Sequence, residues 1–282
     1  MRTILVPVDF TSTTENAVQL AAEWANHYDY QHIILLKTAG ESEFEILHIA
    51  EGHSFVNEEN VNNLLARTES LFTQLINVIT EKYPQIQVSK ILSDWSLTRS
   101  INEVIKNQPS IELIVLGSDD HASSNDSYVS GNIISIARTS RVKTLIVPHH
   151  YRYSPIKNIL IPCDINGITK LERLFHHKSV IQREDVRLQF LNIDTHKGDD
   201  TSDEKKQELE DYIHQHLTEF PSSIHYSYDE NIISGILNFA SSHATDLIIA
   251  LPGRHSFLYY LASRSISEGI YQNTNLPVLV LK

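Results

Sequence analysis

The chain has 282 residues, 41% of them hydrophobic and 21% charged; at roughly 150 residues per domain this describes a globular protein of about two domains, not a disordered one. A formal net charge of −12 and the absence of any run of Lys and Arg exclude nucleic acid or anionic membrane as a partner held by charge neutralisation, which needs a basic face. The single cysteine, Cys163, excludes an internal disulfide, and no apolar run approaches the roughly 20 residues that span a bilayer.

The first element, Arg2-Thr-Ile-Leu-Val-Pro-Val-Asp9, reads as a strand of β-branched residues ending at a carboxylate. Pro7 and Asp9 also interrupt any signal-peptide core, so a cytoplasmic location is expected. Thr11-Ser-Thr-Thr-Glu15 offers N-cap candidates for a helix whose apolar face is Ala17, Val18, Leu20, Ala21, Trp24 and Ala25. His32–Leu36 is a second strand, and residues 39–56 read as a long loop or excursion. A helix follows over 58–82, stopped by Pro84. Strand 86–92, helix 97–106, strand 111–116, helix 132–138 and strand 145–147 complete the first half. Strands alternating with helices imply right-handed βαβ units and a parallel sheet.

The second half repeats the first. Lys157-Asn-Ile-Leu-Ile-Pro-Cys-Asp164 restates the pattern Ile-Leu-Val/Ile-Pro-x-Asp one domain length after Asp9, and Asn275-Leu-Pro-Val-Leu-Val-Leu281 restates Val142-Lys-Thr-Leu-Ile-Val-Pro148. Strands are expected near 158–163, 186–193, 223–228, 246–250 and 278–281, and helices near 168–177, 203–219, 230–242 and 265–272. The Pro-containing stretch Tyr151–Pro155 is a short linker, which divides the chain into domains 1–150 and 151–282.

Within the first half, Glu112-Leu-Ile-Val-Leu-Gly117 is an unbroken apolar run of strand length, as suits a parallel strand covered on both faces. Gly117 then stands at its carboxyl end. In open α/β sheets ligands bind outside these ends, so the loop after Gly117 and the pair Gly131-Asn132 are the first place to look for a site.

Together these residues resemble tandem universal stress proteins, with two such domains in one chain. The resemblance rests on the Pro-x-Asp strand end, the Asp/Glu-Leu-Ile-Val/Ile strand and the loop pattern Gly-x2-Gly-x9-Gly-Ser/Thr/Asn that follows. It implies an α/β fold of two tandem open-sheet domains. Each would be a five-stranded parallel sheet of order 3-2-1-4-5 with helices on both faces, Rossmann-like and similar to the adenine nucleotide alpha hydrolases. It further implies an internal pseudo-dimer joined through strands 145–147 and 278–281, and hence a monomer or loose homodimer. Pro7, Val8 and Asp9, and Asp164 in the second half, would lie by adenine and ribose; capping of the following helix region is the competing role for both aspartates.

The loop departs from the family's pattern in both halves. In the first, Gly117 and Gly131-Asn132 match, but Asp120 replaces the middle glycine and ten residues separate it from Gly131. A Cβ intrudes where backbone would approach a phosphate, and the carboxylate repels it. In the second, Leu251, Arg254 and Arg264 fall at the three glycine positions, and Ser265 keeps its place. Arg254 and Arg264 could hold an anion through side chains.

Other chemistry is thinly represented. The His149-His150 and His176-His177 pairs lack the spacing of a metal site, and Cys163 has no histidine placed by sequence to activate it. There is no P-loop and no catalytic triad, so an enzyme is not expected. No cofactor is demanded by the residues, with ATP or AMP the one that the resemblance allows. The expected function is a cytoplasmic stress-response protein acting on unidentified protein partners or a small ligand. The alternative is an adenine-nucleotide sensor using the first-half loop.

Overall fold

The computed structural model describes residues 1–38, 58–118, 132–177, 185–195, 203–251 and 275–282. They fall into two compact units, one formed by the described residues up to Val142 and one by those from Lys143 onward.

In the first unit β1 (Thr3–Pro7) is buried along its whole length, as its unalternating run of Thr, Ile, Leu and Val requires. It ends at Pro7. α1 (Ser12–His27) follows, then β2 (His32–Thr38), parallel to β1 with Thr3 opposite His32 and Pro7 opposite Leu36. α2 (Glu58–Lys82) leads to β3 (Gln87–Ser93), and α3 (Leu97–Asn107) to β4 (Ile111–Ser118), which flanks β1 on its other side. The strand order is β3-β2-β1-β4, all parallel. α1 buries the face its spacing predicts, with Val18, Leu20 and Trp24 in the core; each such side chain contributes roughly 1.5–3 kcal/mol. α2 buries Phe72, Leu75 and Ile79 while Leu65 is 41% exposed, so its packing is concentrated in the carboxyl-terminal half. α4 (Ile133–Thr139) closes the unit.

The second unit contains β5 (Lys143–Pro148), β6 (Asn158–Pro162), a 3-10 segment (Ile165–Leu171), α5 (Glu172–His176), β7 (Arg187–Asp194), α6 (Asp203–His216), β8 (Ser222–Tyr228), α7 (Ile232–Ser242), β9 (Leu247–Ala250) and β10 (Val278–Val280). Its order is β5-β10-β9-β6-β7-β8. The run β8-β7-β6-β9-β10 is parallel and is the expected 3-2-1-4-5 arrangement. β5 joins it antiparallel, with Leu145 opposite Leu279 and Ile146 opposite Val278. The contact expected between strands 145–147 and 278–281 is therefore present. Tyr151 in the linker is buried, and its amide donates to the Pro148 carbonyl at 3.0 Å.

Among the described residues one helix differs from its expectation; the excursion over 39–56 and the helix expected near 265–272 lie outside them. The helix predicted near 168–177 is instead the 3-10 segment running into the five-residue α5. Asp164 caps the chain early, and Gly167 (φ −128°, ψ 35°) interrupts helical geometry inside the segment.

Candidate functional site

The expected first-half site lies at the carboxyl ends of β1 and β4. Pro7 and Val8 are buried, and the Val8 amide donates to the Leu36 carbonyl at 2.8 Å, extending the β1–β2 ladder. Asp9 is half-buried. Its Oδ1 accepts from the Thr11 amide (3.2 Å), the Thr11 hydroxyl (2.7 Å) and the Thr14 hydroxyl (2.9 Å). Bonding its own backbone two residues on is the Asx-turn geometry, which aims the chain into α1 with Thr11 as N-cap. Between them Phe10 sits at φ 62°, a left-handed conformation that costs a non-glycine residue about 1–2 kcal/mol. An edge-on contact with Phe72 at 5.2 Å returns roughly 0.5–1.5 kcal/mol of this.

Gly117 comes to the same turn from β4. A Cβ there would lie 2.5 Å from the Thr13 carbonyl oxygen and 3.0 Å from the Thr13 side chain, so glycine is required for β4 to reach the first turn of α1. The structure thus brings Asp9 and Gly117 together around residues 11–14. The part played by Thr13 escaped sequence reasoning, because nothing near Thr13 signals a contact with a distant strand end. Asn132 occupies the N-cap position of α4 (φ −105°, ψ −1°) without a side-chain cap bond. Asp120 and Gly131 lie outside the described residues.

The second half repeats the Asx-turn. Asp164 Oδ1 accepts from the Asn166 amide at 2.9 Å, and its Oδ2 stands 3.8 Å from Lys170 Nζ. Asn166 Oδ1 in turn accepts from Lys205 Nζ at 2.6 Å. Buried Asn192 at the end of β7 accepts from the Ile165 amide (3.1 Å) and donates to Asp194 Oδ1 (3.2 Å). Tyr226 donates at 3.4 Å towards Glu210 Oε1, and burial followed by that carboxylate pushes its hydroxyl up to about 12. Burial, then Asp164, pushes the Cys163 thiol up to about 12, leaving it protonated and unreactive at neutral pH. Arg254, Arg264 and Ser265 lie outside the described residues.

Among the described residues no group of three or more His, Cys, Asp and Glu is placed to hold a metal ion. His149 and His150 make an edge-to-face ring contact at 4.5 Å, and His176 Nδ1 lies 2.7 Å from the Glu172 carbonyl. No described helix is long and apolar enough to cross a membrane.

No protein-family model matches the chain, and no curated protein matches it in sequence. Solved structures do match. A universal stress protein from Archaeoglobus fulgidus DSM 4304 superposes with a TM-score of 0.69 at 14% identity, covering 99% of this chain and 98% of that one. A protein from Pseudomonas aeruginosa UCBPP-PA14, described as a universal stress protein, gives 0.55 at 14% identity over 100% and 93%. The cytoplasmic domain of a prokaryotic cation chloride cotransporter gives 0.51 at 13% identity over 99% and 95%. The chain therefore has the tandem α/β fold of universal stress proteins along its whole length, and at these identities the likeness is one of fold.

Proposed function

We propose, from a fold shared end to end with universal stress proteins, that this chain is a non-catalytic stress-response protein that works in the cytoplasm by binding a protein or a small ligand. One observation carries the reading. Both strand-end aspartates that the resemblance would assign to a nucleotide are engaged in local Asx-turns: Asp9 with Thr11 and Thr14, Asp164 with Asn166. The altered loops add to it, since Asp120 stands at a glycine position in the first half, and Leu251, Arg254 and Arg264 do so in the second.

The reading of an ATP or AMP sensor has its own support, because Asp9 and Gly117 meet at one end of the first unit's sheet, where α/β folds take ligands. Denaturing the purified protein and measuring released nucleotide by chromatography separates the two. Well under one nucleotide per chain is expected. ATP or AMP at one per chain or more would replace the first reading with the second.

A further inference from the structure

Three aromatic rings join the last turn of α7 to β8, the terminal strand of its sheet. His225, at the middle of β8, lies 4.9 Å from the ring of Phe239 and 5.5 Å from that of His243. Phe239 is buried on α7 and stacks on His243 at 3.7 Å with the planes 7° apart. His243 is the C-cap of the helix, its amide donating to the Phe239 carbonyl at 3.1 Å.

The hydrogen bonds fix where protons can go. His243 Nδ1 stands 3.0 Å from the Phe239 carbonyl and 2.9 Å from the Ser242 hydroxyl. A carbonyl only accepts, so Nδ1 carries a hydrogen and donates it to Phe239. His225 Nε2 lies 2.9 Å from the Ser223 hydroxyl, which can rotate to serve either protonation state. From β7, Gln189 donates to the His243 carbonyl at 3.4 Å and faces Thr245 at 3.4 Å. The groups facing the pair from β7, β8 and α7 are thus Gln189, Ser223, Phe239 and Ser242, all uncharged. No carboxylate pairs with either ring among the described residues, and the charge that His225 meets is that of His243.

We propose that His225, Phe239 and His243 form an acid-operated latch, which holds the end of α7 against β8 while the imidazoles are neutral and opens when both are protonated. The sign follows from the surroundings. Burial, then the charge of His243, holds His225 below its ordinary value of 6.5. A group depressed in this way stabilises the closed state fully above pH 6.5, and that contribution is lost as pH falls through the lower folded value.

Two measurements on the full chain test this. In the wild type, NMR titration of the His225 ring should give a midpoint below its ordinary value of 6.5. Hydrogen exchange, corrected for its intrinsic pH dependence, should accelerate about tenfold or more between pH 7.5 and pH 5 in residues 223–228 and 239–245 only. His243→Gln should raise the His225 midpoint and abolish the acceleration, and His225→Gln should abolish it too. The latch is overturned by a His225 midpoint indifferent to His243→Gln, or by wild-type exchange in those segments that does not respond to pH. The wild-type measurements decide the matter even if a variant fails to fold.

Discussion

Gly117 and Thr13 meet so closely that any side chain at position 117 would enter the Thr13 backbone, a Cβ lying 2.5 Å from its carbonyl oxygen. The obstacle is backbone and not the end of a flexible side chain, so relief requires α1 to move away from β4. Gly117→Ala should therefore destabilise the protein by about 2–3 kcal/mol. Urea denaturation measures this, and an unchanged midpoint would mean that the contact relaxes at no cost.

Asp9→Ala removes the acceptor of three hydrogen bonds at the entry to α1. A loss of about 1–2 kcal/mol is expected, the range of a helix-entry cap with its hydroxyl partners. Asp9→Asn keeps an acceptor oxygen and should cost less. A ligand-contacting role alone would leave the urea midpoint of both variants at the wild-type value.

Alkaline pH should weaken the fold. Burial pushes the Cys163 thiol from 9.0 and the Tyr30 hydroxyl from 10.0 up to about 12. Both values are raised on folding, so their stabilisation is complete below pH 9 and falls as pH rises from there towards 12. Urea midpoints should decline across this window. At pH 8 native Cys163 should also react with iodoacetamide about 10³-fold more slowly than in the urea-unfolded chain, following its thiolate fraction.

ATP should bind weakly or not at all, for reasons that differ between the halves. In the first, Asp120 adds a carboxylate where a glycine would present an amide, a penalty on the order of a few kcal/mol near a partly buried phosphate. In the second, the side chains of Leu251 and Arg264 occupy positions where the pattern leaves backbone open. Asp120→Gly should tighten ATP binding tenfold or more by calorimetry. Low-micromolar binding by the unaltered protein, or no gain in the variant, would contradict this account of the loop.

Much of the fold was legible because its signals are local. Ile-Leu-Val-Pro7 and Ile-Leu-Ile-Pro162 are short unbroken apolar runs, and both are strands ending at the proline. The 3-10 segment was not legible, because buried Leu171 and Leu174 keep a helix-like spacing while the deviation comes from Asp164 capturing the Asn166 amide. At the candidate site Asp9 announced itself as a carboxylate ending a strand. Its engagement with Thr14, the closeness of Gly117 to Thr13 and the stacking of Phe239 on His243 are products of turn and cap geometry or of packing. None of these leaves a spacing in the sequence.

The antiparallel pairing of β5 with β10 means that the sequence repeat and the folding unit are cut at different places. A fragment excised at the repeat boundary, starting after residue 150, would leave behind the strand that covers Val278, Leu279 and Val280, all buried in the whole chain. Such a fragment would carry a raw apolar edge, and the cheapest way to cover it is a second copy of itself. Fusion of the two repeats has in this sense become hard to reverse, since a stable separated second half needs a borrowed strand as well as its own sequence.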